Sequence, residues 1–134
     1  MRESSAVGDA LVQFADRLSA GDVDSFDRLV SSDPATCIVG TAPGEVVTER
    51  AALRFGFETE GVRLEIDSPR AYEEGSVGWA LTAGTLFFPD GSGIPVRLSA
   101  VLHQQEDRWK LVHAHFSVGV PDEEVVTLTK SWSS

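Results

Sequence analysis

The apolar residues of this chain change their period once, at Gly61, and no other feature limits its fold as much. Up to Gly61 they recur at helical spacing; beyond it they alternate as strands do. Over residues 5–19, Val7, Leu11, Phe14 and Leu18 form one stripe, with Asp9, Gln13 and Arg17 elsewhere on the helix. Gly21 is the expected stop. Asp22 is placed to cap a second, short helix that runs to Leu29 and buries Phe26, Leu29 and Val30. Ser31-Ser32-Asp33-Pro34 ends it, because a residue before proline avoids the helical conformation. A β-prone run, Thr36–Thr41, and an Ala42-Pro43-Gly44 turn come next. A third helix is expected over roughly 49–60, capped by Thr48, with Leu53 and Phe57 on one face and Gly61 as its stop.

After Gly61, Val62, Leu64 and Ile66 alternate with Arg63, Glu65 and Asp67. A turn at Glu73-Glu74-Gly75-Ser76 leads into Val77–Phe88, apolar at most positions and therefore expected to be covered on both faces. Pro89–Gly93 reads as a hairpin turn, followed by Val96–Gln104, a tight turn at Glu106-Asp107-Arg108, and Trp109–Val120. Pro121–Ser134 reads as a polar, partly mobile tail in which Val125, Val126 and Leu128 could add a short edge segment. Helices first and a strand meander afterwards define an α+β chain, a curved antiparallel sheet with three N-terminal helices over one face. The other face needs its own cover, and the simplest is a second copy, giving an isologous homodimer.

The 134 residues suit one domain over 1–134, with a core of about 6–122 and a polar C-terminal tail over 121–134. Eleven Lys and Arg are scattered among 21 Asp and Glu, for a formal net charge of −10. Nucleic acid and anionic membrane surfaces call for clustered cations, so neither is expected as a partner. No run approaches the roughly 20 apolar residues that span a bilayer. Met1-Arg2-Glu3-Ser4-Ser5 leads into an amphipathic segment, which does not read as a secretory signal. One cysteine, Cys37, leaves no internal disulfide and suits a reducing, cytoplasmic location.

Several segments, in order, carry a resemblance. Gly40-Thr41-Ala42-Pro43-Gly44-Glu45 precedes the third helix; Gly78-Trp79 and Leu98-Ser99-Ala100-Val101-Leu102-His103 fall in strands; Trp109-Lys110-Leu111-Val112-His113-Ala114-His115-Phe116-Ser117 is the last strand. Together they resemble SnoaL-like domains of the nuclear transport factor 2 superfamily over roughly residues 6–122. The last strand is also similar to that of the association domain of calcium/calmodulin-dependent kinase. The resemblance implies a cone-shaped, cystatin-like roll. Its bent sheet carries three helices over the concave face and opens at one end to a pocket, and such domains are usually dimeric. It does not select a reaction, because the superfamily includes ketosteroid isomerases, polyketide cyclases, dehydratases, epoxide hydrolases and pure interaction domains.

Strand parity puts Trp109, Leu111, His113, His115 and Ser117 on one face of the last strand and Lys110, Val112, Ala114, Phe116 and Val118 on the other. The kinase association domain carries a pocket arginine at the position matching Phe116, and two more at those matching Gly84 and Ala100. The resemblance thus implies a wall of Val112, Ala114, Phe116, Gly84 and Ala100, with Phe14, Leu53, Phe57 and Leu98 around it. Without those arginines the pocket is expected to be apolar, suited to a small hydrophobic molecule and not to carboxylates.

Superfamily isomerases use an aspartate on the first strand; the matching stretch, Thr36–Gly40, has no carboxylate. Glu45 matches the Gly-x-x-Pro-Gly-Glu element near the cone mouth, and Asp67 and His103 are the other acid–base candidates. His113 and His115 point the same way, but two imidazoles fall short of a metal ligand set. The nearest further imidazole is His103 on the preceding strand; His113 and His115 are read as structural, hydrogen-bonded on the outer sheet face or at the dimer contact, and no metal or cofactor is expected. Cys37, among apolar neighbours, reads as a small buried hydrophobe. Trp79 reads as a sheet or dimer contact. The leading expectation is a dimeric domain binding a small hydrophobic ligand. The alternative is a cofactor-free isomerase, cyclase or lyase using Glu45, Asp67 or His103. A third possibility is a cone filled by Phe116, Leu98 and Leu102, with no room for a ligand.

Overall fold

The computed structural model describes residues 1–132; Ser133 and Ser134, the end of the expected tail, lie outside the described residues. The first apolar stripe forms α1 (Ser5–Ser19), capped by Ser4, whose hydroxyl accepts the Val7 N–H at 3.1 Å. Gly21, at φ 65°, ends it in the left-handed conformation that side-chain-bearing residues avoid. The expected second helix divides into a 3₁₀ turn (Val23–Ser25) and a single turn, α2 (Phe26–Leu29). Asp22 does not cap it with its side chain; its carboxylate instead accepts the Ser25 hydroxyl at 2.6 Å. The next helix, α3 (Arg50–Glu58), starts after Glu49 and has no side-chain cap, so Thr48 does not serve as one. Arg50 anchors it instead. The guanidinium donates to the Asp27 carboxylate at 2.7 Å and the Val30 carbonyl at 3.1 Å, and lies 4.3 Å over the Phe26 ring. That hydrogen bond from Arg50 holds the Asp27 carboxyl below the ordinary aspartate value.

Eight strands make one sheet: β1 (Arg2–Glu3), β2 (Cys37–Val39), β3 (Val46–Val47), β4 (Arg63–Ile66), β5 (Arg70–Glu74), β6 (Val77–Phe87), β7 (Gly93–Gln105) and β8 (Arg108–Ser117). Their order is β1-β5-β6-β7-β8-β2-β3, and β4 pairs with the far half of β6, beyond β5. Every pairing is antiparallel except β2 with β8. The chain reaches β8 before β2 begins: the Ser31 N–H donates to the Leu111 carbonyl at 2.9 Å, so Cys37–Val39 arrives already running along β8. Glu106 and Asp107, at φ 54° and 62°, form the tight β7–β8 turn. The sheet is curved, with α1 packed across β4, β5, β6 and β8.

The core lies between the concave face and the helices. Leu98, Ala100, Leu102 and Ala114 from the sheet meet Val7, Leu11, Phe14 and Phe26 from the helices. One irregularity overturns the parity expected for the last strand. Val101 pairs with His113 but Leu102 pairs with Leu111, so Val112 is an extra residue, a β-bulge. The bulge resets the alternation. Leu111, 1% exposed, faces the core with Ala114 and Phe116, and Trp109 packs against the same cluster. Val112 therefore does not stand on the inner wall with Ala114 and Phe116.

The tail differs from expectation too. Val125, Val126 and Leu128 belong to a fourth helix, α4 (Asp122–Trp132), and not to an edge strand. Asp122, Glu123 and Glu124 fill its first turn and Lys130 its last, the charge order that complements a helix dipole. It buries no residue. At the other end of the chain, Glu73 ties β1 to β5. The Ser4 hydroxyl at 2.6 Å, and after it the Arg2 guanidinium, holds the Glu73 carboxyl below the ordinary glutamate value. The contribution of this tie is complete above that ordinary value and is lost as pH falls through the lower folded one.

Within the single chain the outer face of β6 carries exposed apolar side chains: Val77 and Leu81 are 48% and 42% exposed. Beside them Trp79 stacks on Tyr72, ring centroids 4.9 Å apart. Among the described residues no helix is long and apolar enough to cross a membrane.

Candidate functional site

At one end of the core the helices and sheet part to leave a cavity of about 720 Å³. Its floor is made by side chains already placed by the fold: Phe14 and Leu18 from α1, Leu53 and Phe57 from α3, Phe116 at the end of β8. All five are less than 9% exposed. Phe57 is held edge-on by two further rings, Phe14 at 5.7 Å and Phe26 at 5.4 Å between centroids. Leu86, Phe88 and Val62 supply one side wall, and the β2–β3 hairpin, through Ile38 and Val47, the other. Thr41, Glu45 and Phe55, which is 66% exposed, stand at the rim. Five of the seven phenylalanines in the chain line this space.

Of the residues expected at the pocket, Phe14, Leu53, Phe57 and Phe116 line it. Leu98, Ala100 and Ala114 are buried at 2% or less within the solid core and do not reach it. Gly84 also stands outside the lining; it pairs with Ile66 of β4, and a Cβ there would overlap the Glu65 carbonyl. Val112 is removed from the wall by the bulge. The cone is thus filled by Leu98 and Leu102 in its depth but open at the wide end. Leu86 and Phe88 were within reach of sequence parity, two and four residues beyond Gly84 on the same face. Ile38, Val47 and Phe55 had no such signal, because the hairpin and α3 meet only in the folded chain.

The acid–base candidates do not converge. Glu45 is at the rim. Asp67 is exposed beyond the end of β4, where its backbone N–H donates to Ala83 at 2.9 Å and its carbonyl accepts the Thr82 hydroxyl at 2.7 Å. His103 is on the outer face. The Ser31 hydroxyl donates to Gln105 Oε1, which leaves Gln105 Nε2 to donate to His103 Nδ1 at 3.1 Å. His103 Nε2 lies 3.3 Å from Ser76 Oγ, so both ring nitrogens are engaged on the outer face, away from the cavity. His113 is likewise outside, with its Nδ1 3.3 Å from Cys37 Sγ. Cys37 is therefore half-buried beside a histidine and not enclosed by apolar neighbours; the parallel β2–β8 pairing brings together residues 76 positions apart. No group of three or more His, Cys, Asp or Glu side chains with metal-binding geometry occurs among the described residues.

The same architecture occurs in solved structures. A proposed dehydratase of the NTF2-like family from Streptomyces avermitilis superposes with a TM-score of 0.72 at 18% identity, covering 87% of this chain and 95% of that one. A proposed ketosteroid isomerase from Shewanella frigidimarina gives 0.66 at 18% identity over 85% and 96%. The association domain of CaMKII from C. elegans gives 0.61 at 21% identity over 81% and 90%. Identities this low carry the fold and nothing more of those proteins' properties. None of the curated proteins matches the chain. The family model described as a SnoaL-like domain matches residues 7–121, nearly the whole folded body, and the chain belongs to that family.

Proposed function

We propose that this SnoaL-like domain binds a small hydrophobic molecule in the cavity at the wide end of its cone. The observation that carries the reading is the lining: five phenylalanines around about 720 Å³, with Glu45 as the one titratable side chain among the described residues that line it. A space of this size and character is what ligand sites use. Acid–base catalysis of an isomerase, cyclase or lyase kind calls for titratable groups that meet at the substrate. Here Asp67 and His103 are elsewhere, and such a reaction would rest on Glu45 alone. Binding is therefore the better-supported reading. It is tested by thermal-shift screening against neutral hydrophobic compounds of ten to fifteen heavy atoms. A rise in melting temperature of several degrees is expected for some of them, abolished when Phe116→Arg brings a charge to the cavity floor. No shift across such a set would sink it.

The domain is proposed to act as a homodimer through the outer sheet face. The half-exposed Val77 and Leu81 and the Tyr72–Trp79 stack support this, since large apolar side chains grouped on an uncovered sheet face mark a contact surface. Light scattering at micromolar concentration is expected to give twice the chain mass, and Leu81→Asp to give the monomer with its helical and strand signals intact. A monomeric wild-type chain at that concentration excludes the dimer.

A further inference from the structure

The rim of the cavity carries a charged side chain, Glu45, that its apolar lining does not explain. Glu45 follows the turn between β2 and β3, which is closed by the Gly40 N–H donating to the Glu45 carbonyl at 2.8 Å. Its side chain folds back over Gly40; any Cβ on Gly40 would overlap the Glu45 carboxylate, so glycine at that position is what lets the acid lie across the hairpin on the cavity side. The carboxylate has no hydrogen-bond or ion-pair partner among the described residues. Asp22, Asp27, Glu73 and Asp90 each accept from a named donor; among the described residues Glu45 is unpaired like the exposed Glu49 and Asp107, but unlike them it stands at the cavity. Arg50 and Arg63 lie 4.3 Å over Phe26 and Phe87, and no Lys, Arg or His is among the described residues that line the cavity.

We propose, on the reading that this cavity is a ligand site, that its preferred ligand is a hydrophobic amine: an apolar body among the phenylalanines and a cationic nitrogen held by Glu45 at the rim. Three features act together. An unpaired carboxylate beside low-dielectric walls attracts a cation more strongly than one in open water. The Phe55 ring, exposed at the same rim, offers a π face to an ammonium group. Thr41, also at the rim, can accept a second N–H through its hydroxyl. A carboxylic acid would bring like charge against Glu45, in a protein whose formal net charge is already −10. A neutral alcohol would bury the same apolar body without the ion pair.

The test compares n-decylamine, 1-decanol and decanoic acid, each below its aggregation limit, by isothermal titration of the full chain at pH 7.5. Decylamine is expected to bind one per chain, about tenfold tighter than 1-decanol, with decanoate weakest. Glu45→Gln is expected to remove the amine's advantage while leaving 1-decanol binding within about twofold, which shows that the variant remains folded. Equal binding of amine and alcohol overturns the amine preference and leaves the hydrophobic-ligand reading standing. A tenfold difference that survives Glu45→Gln overturns the amine preference in the same way. Decylamine binding at several per chain, or without competition from 1-decanol, assigns it to the acidic surface and overturns the proposal. If none of the three binds, the cavity is not a site for such molecules and both readings fall together.

Discussion

Gly84→Ala is expected to cost about 3 kcal/mol of folding stability, and Gly84→Val to leave little folded protein at room temperature. Gly84 pairs with Ile66 at the end of the antiparallel β4–β6 ladder, and a Cβ there would overlap the Glu65 carbonyl and stand 2.9 Å from the Ile66 Cα. Both obstacles are backbone, so no side chain can turn away; β4 must leave β6. A domain of this size has only about 5–15 kcal/mol to lose. Gly8→Ala is the companion measurement. Gly8 is inside α1, and a Cβ there would meet Ala71 at an ordinary 3.5 Å. Replacing a helical glycine without a clash is expected to gain about 0.5–1 kcal/mol. Urea unfolding of the two variants should move in opposite directions. A Gly84→Ala protein within 1 kcal/mol of wild type would show that β4 and β6 do not approach this closely.

The second large effect is expected at Phe57. Its ring is 2% exposed, touches Phe14 and Phe26 edge-on, and forms part of the cavity floor. Phe57→Ala removes the buried ring from the middle of a three-ring cluster and joins its volume to the cavity, at a cost of about 3–5 kcal/mol. Phe57→Leu keeps most of the volume and should cost about 1–1.5 kcal/mol. The ratio between the two separates a packed anchor from a flap. If both variants unfold at the wild-type denaturant midpoint, α3 contributes nothing to the core.

Much of this was readable from local pattern. The stripe of Val7, Leu11, Phe14 and Leu18, the glycine stop at Gly21 and the three long strands are short-range signals, and the folded chain keeps them. The features that went unread are long-range. Gly84 looked like a missing pocket side chain because only the pairing of β4 with β6 shows what occupies its place. Cys37 looked enclosed because His113, its neighbour in space, is 76 residues away in sequence. The helix α4 was obscured for the opposite reason: it packs no core face, so the apolar period that reveals α1 is weak there, and only its acidic start and basic end mark it. At the cavity, Phe14, Leu53, Phe57 and Phe116 followed from pattern and resemblance, whereas Ile38, Val47 and Phe55 come from a hairpin and a helix that meet only after folding.

The spare residue in β8 bears on how relatives of this chain should be compared. Because Val112 opposes no residue of β7, its neighbours keep their faces with or without it: Leu111 inward, His113 outward, Ala114 inward. A shorter relative that lacks this position would therefore preserve the inside and outside of the strand while losing the local bend that a bulge introduces. Alignment through this segment calls for a one-residue gap at Val112, and any column-by-column transfer drawn without it swaps inner and outer positions on one side of the bulge. The mouth of the cone, set by Phe116 four residues on, would change its opening by a deletion that no hydrophobicity profile would flag.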